Sequence, residues 1–443
     1  MKKSILFLAI LLPILSYSQS YLGFNTDNYN GVHGVLFNPA NIVDSKYRTD
    51  INIASVSAGL ENDYISINMK DVFGGGDIDF EDDADRTLTD NNNFALNFDV
   101  LGPSFMMNLK PKHSIALYTR TRAFLNVNGI NGKLYERFTD DNFDSSESFT
   151  ASDDGFKNTV HGWGEIGASY ATILINKQQH FLKGGITLKY LQGLGSAAMQ
   201  AKDIYVDYDS SAAEVGQEID TNGTLSYASS FEENGDFEIQ SGATGMGIDL
   251  GFIYEWRPDF DNVKDTIAST KYKLKFGVAI TDIGSIKYKT FRNEKYATNG
   301  INIDESFFED NDFEDALDLL YTKTDLGSSM KVKLPTALHL NADWQIKKKL
   351  FLNLNSDLSL IPTDKENANN IVTRHSLTPR FETKWLTVQM PISTTALKNT
   401  TVGFGFRAGP LYIGSGSILS NVMSSKSKAL DVYFGLKIPI YKK

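Results

Sequence analysis

Between residues 429 and 443 apolar and polar positions alternate one by one. Leu430, Val432, Phe434, Leu436, Ile438 and Ile440 stand between Asp431, Tyr433, Gly435, Lys437, Pro439 and Tyr441. A period of two belongs to a β-strand, whose successive side chains leave opposite faces. The pattern returns along the chain: Met246, Ile248, Leu250, Phe252, Tyr254 and Trp256 interleave with Gly247, Asp249, Gly251, Ile253 and Glu255. Alternation and turn signals predict 14 strands, near 51–69, 94–109, 115–126, 163–175, 182–190, 246–256, 272–280, 338–344, 350–360, 372–384, 385–394, 400–408, 410–419 and 429–441.

No matching set of core helices is present to cover the apolar faces, so those faces meet lipid. The predicted fold class is all-β, a transmembrane antiparallel β-barrel with an N-terminal plug. Its last strand pairs with its first, leaving no edge in hydrocarbon, and an even count puts both termini on one side. Connections after even strands are short or basic, as at Lys110-Pro111-Lys112 and Lys347-Lys348-Lys349, whereas those after odd strands include nearly all the long acidic segments. Short turns belong to the periplasmic side and long loops to the outside. In the loop 291–333, Phe307, Phe308, Phe313, Leu317 and Leu320 fall at near-helical spacing and predict a short helix. Residues 201–242 read as strand extensions and a long loop.

The start of the chain agrees with export. Lys2 and Lys3 precede an apolar run over 5–15 and then Ser16-Tyr17-Ser18, the pattern of a cleavable signal peptide over 1–18, which directs the chain to the cell outer membrane. Beyond it no stretch approaches the 18 or so apolar residues of a helical span. The chain has 0 Cys, which excludes a lipobox and a disulfide framework. A formal charge of −11 argues against nucleic acid as a partner.

Candidate chemistry is sparse. The acids at 77–85 and 309–315 match no calcium-loop spacing and read as solvated loop surface, bridged by divalent ions to lipopolysaccharide. The 6 His residues are scattered, so neither a metal site nor a cofactor is predicted. His339, Asp343 and Ser359 face the lumen, but no Ser stands in a nucleophile's context and an enzyme is not expected. Lumen positions carry both signs, with Arg120, Arg122, Asp249, Glu255, Asp343, Arg380, Glu382 and Arg407 foremost. They suit either cross-lumen pairs or a charged water path.

The stretch before the first strand contains Gly31, Gly34 and Asn38-Pro39-Ala40, where Pro39 fixes its own backbone and keeps Asn38 out of helix. This turn, soon after a signal peptide and before the first strand, resembles the N-terminal hatch of the FadL-type long-chain fatty-acid transporters. The whole chain resembles an uncharacterised barrel family of Bacteroidota related to them. The resemblance implies a hatch over 19–50, a barrel over 51–443, and passage of hydrophobic, fatty-acid-like molecules. These would enter past the loop aromatics from Phe307 to Leu320 and leave sideways at a kink in the wall. Gly102-Pro103 interrupts pairing on strand two, whereas the family's kink is on its third. A second function stays open, a non-transporting subunit or scaffold of an outer-membrane secretion or assembly complex. An enclosed apolar pocket would favour transport, and a contiguous exposed patch the subunit.

Overall fold

The computed structural model describes residues 21–70, 84–139, 148–153, 155–209, 218–232, 239–258, 270–304 and 313–442. The expected signal peptide, Phe307, Phe308 and most of the acid clusters lie outside these residues. The wall consists of β1 (Tyr47–Asn62), β2 (Asn92–Leu101 with Ser104–Lys110), β3 (His113–Ile130), β4 (Lys157–Lys177), β5 (His180–Asp209), β6 (Thr244–Trp256) and β7 (Leu274–Lys289). It continues with β8 (Ala337–Lys347), β9 (Leu350–Ser359), β10 (Arg374–Glu382), β11 (Leu386–Gln389 with Ile392–Thr395), β12 (Thr400–Val402 with Phe404–Ala408), β13 (Leu411–Ser415) and β14 (Ala429–Tyr441).

Each strand pairs antiparallel with the next, and β14 returns to β1 with Tyr47 opposite Tyr441 and Ile51 opposite Ile438. The result is a closed ring of 14 strands, the count predicted by alternation. The first strand shifts at both ends, and the strands predicted at 115–126, 163–175, 182–190 and 272–280 extend to Ile130, Lys177, Asp209 and Lys289. The first strand begins at Tyr47, so 47–50 belong to the wall and not to the N-terminal segment. It ends at Asn62, and Ile65–Ile67 pairs instead with Ala84–Arg86 in a separate small sheet.

Along every strand the apolar set points out. Ile166, Leu188, Phe252, Leu354 and Phe434 are each at least half exposed, while their neighbours Glu165, Lys189, Gly251, Asn353 and Tyr433 are buried on the inner side. Such a wall is the inverse of a water-soluble barrel and is stable where the surrounding solvent is hydrocarbon.

Above the apolar belt the sheet goes on. The far half of β5 pairs with Glu218–Ser229, which pairs with Arg292–Ala297 and Gly300–Asp304, and Thr322–Asp325 follows on Arg292–Ala297. In the region 201–242, residues 201–209 and 218–229 are therefore paired strands, because period-two alternation outlasts the lipid-facing zone. Two helices cap it, α1 (Gly132–Thr139) and α2 (Phe313–Leu320), the latter at the predicted place. A small apolar core holds this extension together, with Leu134, Val206, Tyr208, Ile219, Leu225, Tyr296, Leu317 and Tyr321.

An ion cluster fastens α2. Asp318 meets Arg292 at 2.5 Å and Lys323 at 2.9 Å, Glu294 meets Lys323 at 3.0 Å, and the Tyr296 hydroxyl donates to both carboxylates. Burial pushes Glu294 and Asp318 upward, but hydrogen bonds from Tyr296 and Lys323 outweigh it and hold both carboxyls below their usual values. A lowered folded value means stability that is complete above the ordinary carboxylate range and is lost as pH falls through the lowered values. The protection of α2 amides, taken relative to their intrinsic exchange rate at each pH, should fall in acid below that range and stay constant near neutrality. Equal protection at both pH values would remove the cluster from any role in docking the helix.

Candidate functional site

Residues 21–46 run inside the ring as three short 3-10 turns, Phe24–Thr26, Gly31–Leu36 and Pro39–Ile42. Their apolar side chains supply a core that the polar wall lacks: Tyr21, Phe24, Val32, Val35 and Ile42 are buried, and Phe24 stacks on Tyr412 at 4.0 Å. Asn38, Pro39 and Ala40 act together. The Asn38 side-chain oxygen accepts from the Ala40 N–H at 2.9 Å and caps the last turn, where proline suits the first position. The Asn38 amide donates to the carbonyls of Phe252 and Val278, at 3.1 and 3.2 Å, on β6 and β7. This approach requires bare backbone in the wall. A Cβ at Gly185 would lie 2.5 Å from Ala40 N, and one at Gly251 would overlap the Asn38 side chain.

All eight foremost lumen charges point inward and are buried in ion pairs. In the lower half they grip the N-terminal segment. Arg407 holds Asp27 at 2.8 Å, and Arg380 reaches Asp343 at 3.1 Å, Glu382 at 2.9 Å and the Thr26 hydroxyl at 2.8 Å. Glu382 accepts from the Asn28 N–H at 3.1 Å, and Glu255 lies between Lys183 and Arg257, whose guanidinium also meets Asp44. Higher up, Arg120 joins Asp99 and Glu165, Arg122 meets Asp282 at 2.7 Å, and Lys189 bridges Asp249 and Asp282 at 2.9 and 2.6 Å. Most of these pairs join neighbouring strands or the N-terminal segment, and Arg122–Asp282 reaches from β3 to β7. Asp27, Asp44, Lys183 and Lys189 were missed. The two lysines were signalled by strand alternation, but the two aspartates lie in an aperiodic segment with no such signal.

A second closure was not foreseen. The connection from β9 to β10 folds into the upper lumen, where Asn369 contacts His161 Nδ1 at 2.8 Å and Asn126 bonds Asn370 through its backbone. The Lys157 ammonium donates to the carbonyls of Lys365 and Ala368. Nearby Phe124, Trp163, Leu191, Tyr288, Val332 and Leu334 form an apolar layer.

The wall lapses at Gly102-Pro103. Asn52 pairs with Ser104 and Ser55 with Leu101, and between them the ladder is missing. The stranded carbonyls of Leu101 and Gly102 each accept from the Asn52 side chain at 2.9 Å. Asn52 is held by Ser55, and Ser55 contacts His33 of the N-terminal segment at 3.0 Å. On the outer side lies a cleft of about 270 Å³, lined by Val100, Gly102, Thr119, Thr121, Ile166 and Tyr190 with Arg120 and Glu165 at its floor.

The loop residues are arranged differently from the entrance expected of them. Leu317 is buried in the core of the extension, and Leu320 packs half-buried against it. Phe313 begins that helix. His339 stands between Thr281 and Asp357, at 2.9 and 2.5 Å, while the Ser359 hydroxyl donates to Ile361 O. Thr281 is buried, and this chain of contacts ties β7 to β8 and β9.

A family model described as a family of unknown function (DUF5723) matches residues 39–416. No curated protein matches the chain. Among solved structures it is similar to the toluene transporter TbuX of Ralstonia pickettii, at 10% identity over 93% of this chain and 94% of that one, with a TM-score of 0.40. A FadL homologue of Pseudomonas aeruginosa gives 10% identity, 95% and 98% coverage and a TM-score of 0.41. The toluene transporter TodX of Pseudomonas putida gives 12% identity, 96% and 93% coverage and a TM-score of 0.35. The resemblance drawn from Asn38-Pro39-Ala40 is to the family that the second of these bears in its name.

Two outcomes are expected. Arg407→Ala strands the buried Asp27 charge and should lower the unfolding free energy in detergent by about 3–5 kcal/mol, with Asp27→Asn in the same chain recovering part of it. An unshifted urea midpoint would show that Arg407 faces water. Deleting Tyr21–Ala40 should unplug only the lower lumen, so liposome swelling by small solutes should rise most when Asn369→Ala and Asn370→Ala are added. Full swelling from the deletion alone would mean that the β9–β10 connection closes nothing.

Proposed function

The chain belongs to DUF5723, a family of unknown function, and we propose from its own geometry that it is an outer-membrane barrel that passes hydrophobic, fatty-acid-like small molecules. The observation that carries this reading is the lipid-side cleft at the Gly102-Pro103 break. Its axis is filled from below by residues 21–46 and from above by the β9–β10 connection, which leaves little room for a water-filled pore. Proline brings no N–H to the ladder, so the lapse is built into the sequence. The cleft presents Val100, Ile166 and Tyr190 to an apolar body, above a floor where Arg120 is already neutralised by Asp99 and Glu165. The N-terminal segment serves as the hatch, released or shifted when a ligand passes.

The competing role, a subunit of an outer-membrane assembly, draws on the extension above the belt. That extension has a core of its own and is larger than closing the barrel requires.

Native mass spectrometry of the barrel, gently solubilised from its own membrane, separates the two. A retained hydrophobic ligand of a few hundred daltons favours transport, and a stoichiometric protein without such a ligand favours the assembly. Gly164 borders the cleft, and a Cβ built there meets nothing within 4 Å. Gly164→Phe should therefore fill the cleft without disturbing the wall and weaken ligand retention by ~10-fold, equivalent to ~1.4 kcal/mol. Undiminished retention by a folded Gly164→Phe barrel would take the cleft out of the pathway.

A further inference from the structure

The rim that carries both chain ends bears cations that form no ion pair among the described residues. Lys110 and Lys112 stand in the β2–β3 turn, Lys177 at the β4–β5 turn, Lys347, Lys348 and Lys349 at the β8–β9 turn, and Arg48 at the start of β1. All are exposed, and among the described residues none of them forms an ion pair. Asp44, at the end of the N-terminal segment, is held by Arg257 at 2.8 Å and approached by Lys271 and Lys442, not by any of these cations. Antiparallel alternation puts these turns at the end of the wall where β1 begins and β14 ends, with Tyr47 opposite Tyr441.

Each basic turn is flanked by residues of the lipid-facing belt. Leu109 precedes Lys110, Leu174 and Ile175 precede Lys177, and Ile346 and Leu350 bracket the three lysines. Amphipathic rings mark the same depth. His113 Nδ1 lies 2.7 Å from the Tyr170 hydroxyl and His180 Nδ1 2.7 Å from that of Tyr254, both pairs stacked on the outer wall. Trp385 is 60% exposed, and the Lys384 ammonium lies 5.4 Å from its ring and 4.5 Å from that of Tyr441. Such rings settle at the boundary between hydrocarbon and headgroups.

We propose that this rim is a binding surface for the anionic phosphodiester headgroups of the phospholipid leaflet that it faces. A lysine stem lies along the apolar wall and its ammonium reaches out to headgroup level, where a phosphate is the available counter-ion. An acidic soluble protein would match the charge but leaves the flanking leucines, isoleucines and tryptophan unexplained. The proposal rests on the membrane-spanning wall and is independent of what passes through it.

The test is native mass spectrometry of the full barrel in detergent, titrated with phosphatidylglycerol or phosphatidylcholine of identical chains. The wild type should retain the anionic lipid ~5-fold or more over the zwitterionic one, with the preference shrinking as salt rises. Replacing Lys110, Lys112, Lys347, Lys348 and Lys349 by Gln should reduce the preference to below ~2-fold while the barrel keeps its heat-modifiable gel migration. Should that variant not fold, Lys348→Glu alone is expected to lower the preference by a smaller step. Equal retention of the two lipids by the wild type would overturn the proposal, as would an unchanged preference in a folded variant. Capture of soluble poly-glutamate without any lipid preference would overturn it too, and would assign the rim to an acidic protein.

Discussion

A peptide group inside hydrocarbon has no water to bond, so every N–H and C=O of the wall must find its partner within the protein. The pairing of β14 with β1 meets that demand by removing the last free edge. Much of the remaining chemistry descends from this closure. Once Phe434 and its outward counterparts face lipid, period two sends Tyr433, Gly435 and Lys437 into the lumen, and the lumen inherits the polar half of every strand.

A polar interior has its own demand, because a buried charge without a partner costs far more than a buried pair contributes. Residues 21–46 answer it on two fronts. Their side chains bring an apolar core, with Phe24 stacked on Tyr412, and their polar groups complete the wall's ion pairs, with Asp27 against Arg407 and Asn28 against Glu382. The N-terminal segment is thus at once filling and counter-ion. Without it Arg407 and Glu382 would each lose a contact inside the barrel, which couples the folding of wall and segment.

The wall was legible in the sequence because one physical variable, sidedness, dictates it residue by residue. β6 illustrates this, since every outward residue from Met246 to Trp256 was visible as alternation. The count of strands and the helix at Phe313–Leu320 followed from the same patterning. What could not be read was whatever depends on distant partners. Asp27 finds Arg407 and Asn126 finds Asn370 across hundreds of residues of chain, and neither contact has a local periodic signature. The β9–β10 connection, with Asn367-Ala368-Asn369-Asn370, looks like an ordinary polar loop, and it is the His161, Asn126 and Lys157 side chains inside the barrel that make it a plug. Leu317 and Leu320 misled for a related reason: their apolar spacing announces burial but not what covers them.

The break at Gly102-Pro103 shows how the wall tolerates a lapse in the rule that built it. Two carbonyls there lose their ladder partners, and the Asn52 amide takes both. Asn52 can do so because its oxygen is fixed by Ser55, and the Ser55 hydroxyl sits in a cluster with His33 and Tyr412. His33 belongs to the N-terminal segment, Ser55 to β1, Tyr412 to β13. The lapse is therefore satisfied by the segment and the wall jointly, through an uninterrupted set of hydrogen bonds from the lumen to the lipid side. A segment seated differently would withdraw His33 from Ser55 and loosen the residue that keeps the stranded carbonyls satisfied. In this molecule the axial plug and the lateral gap are consequently parts of one hydrogen-bonded unit.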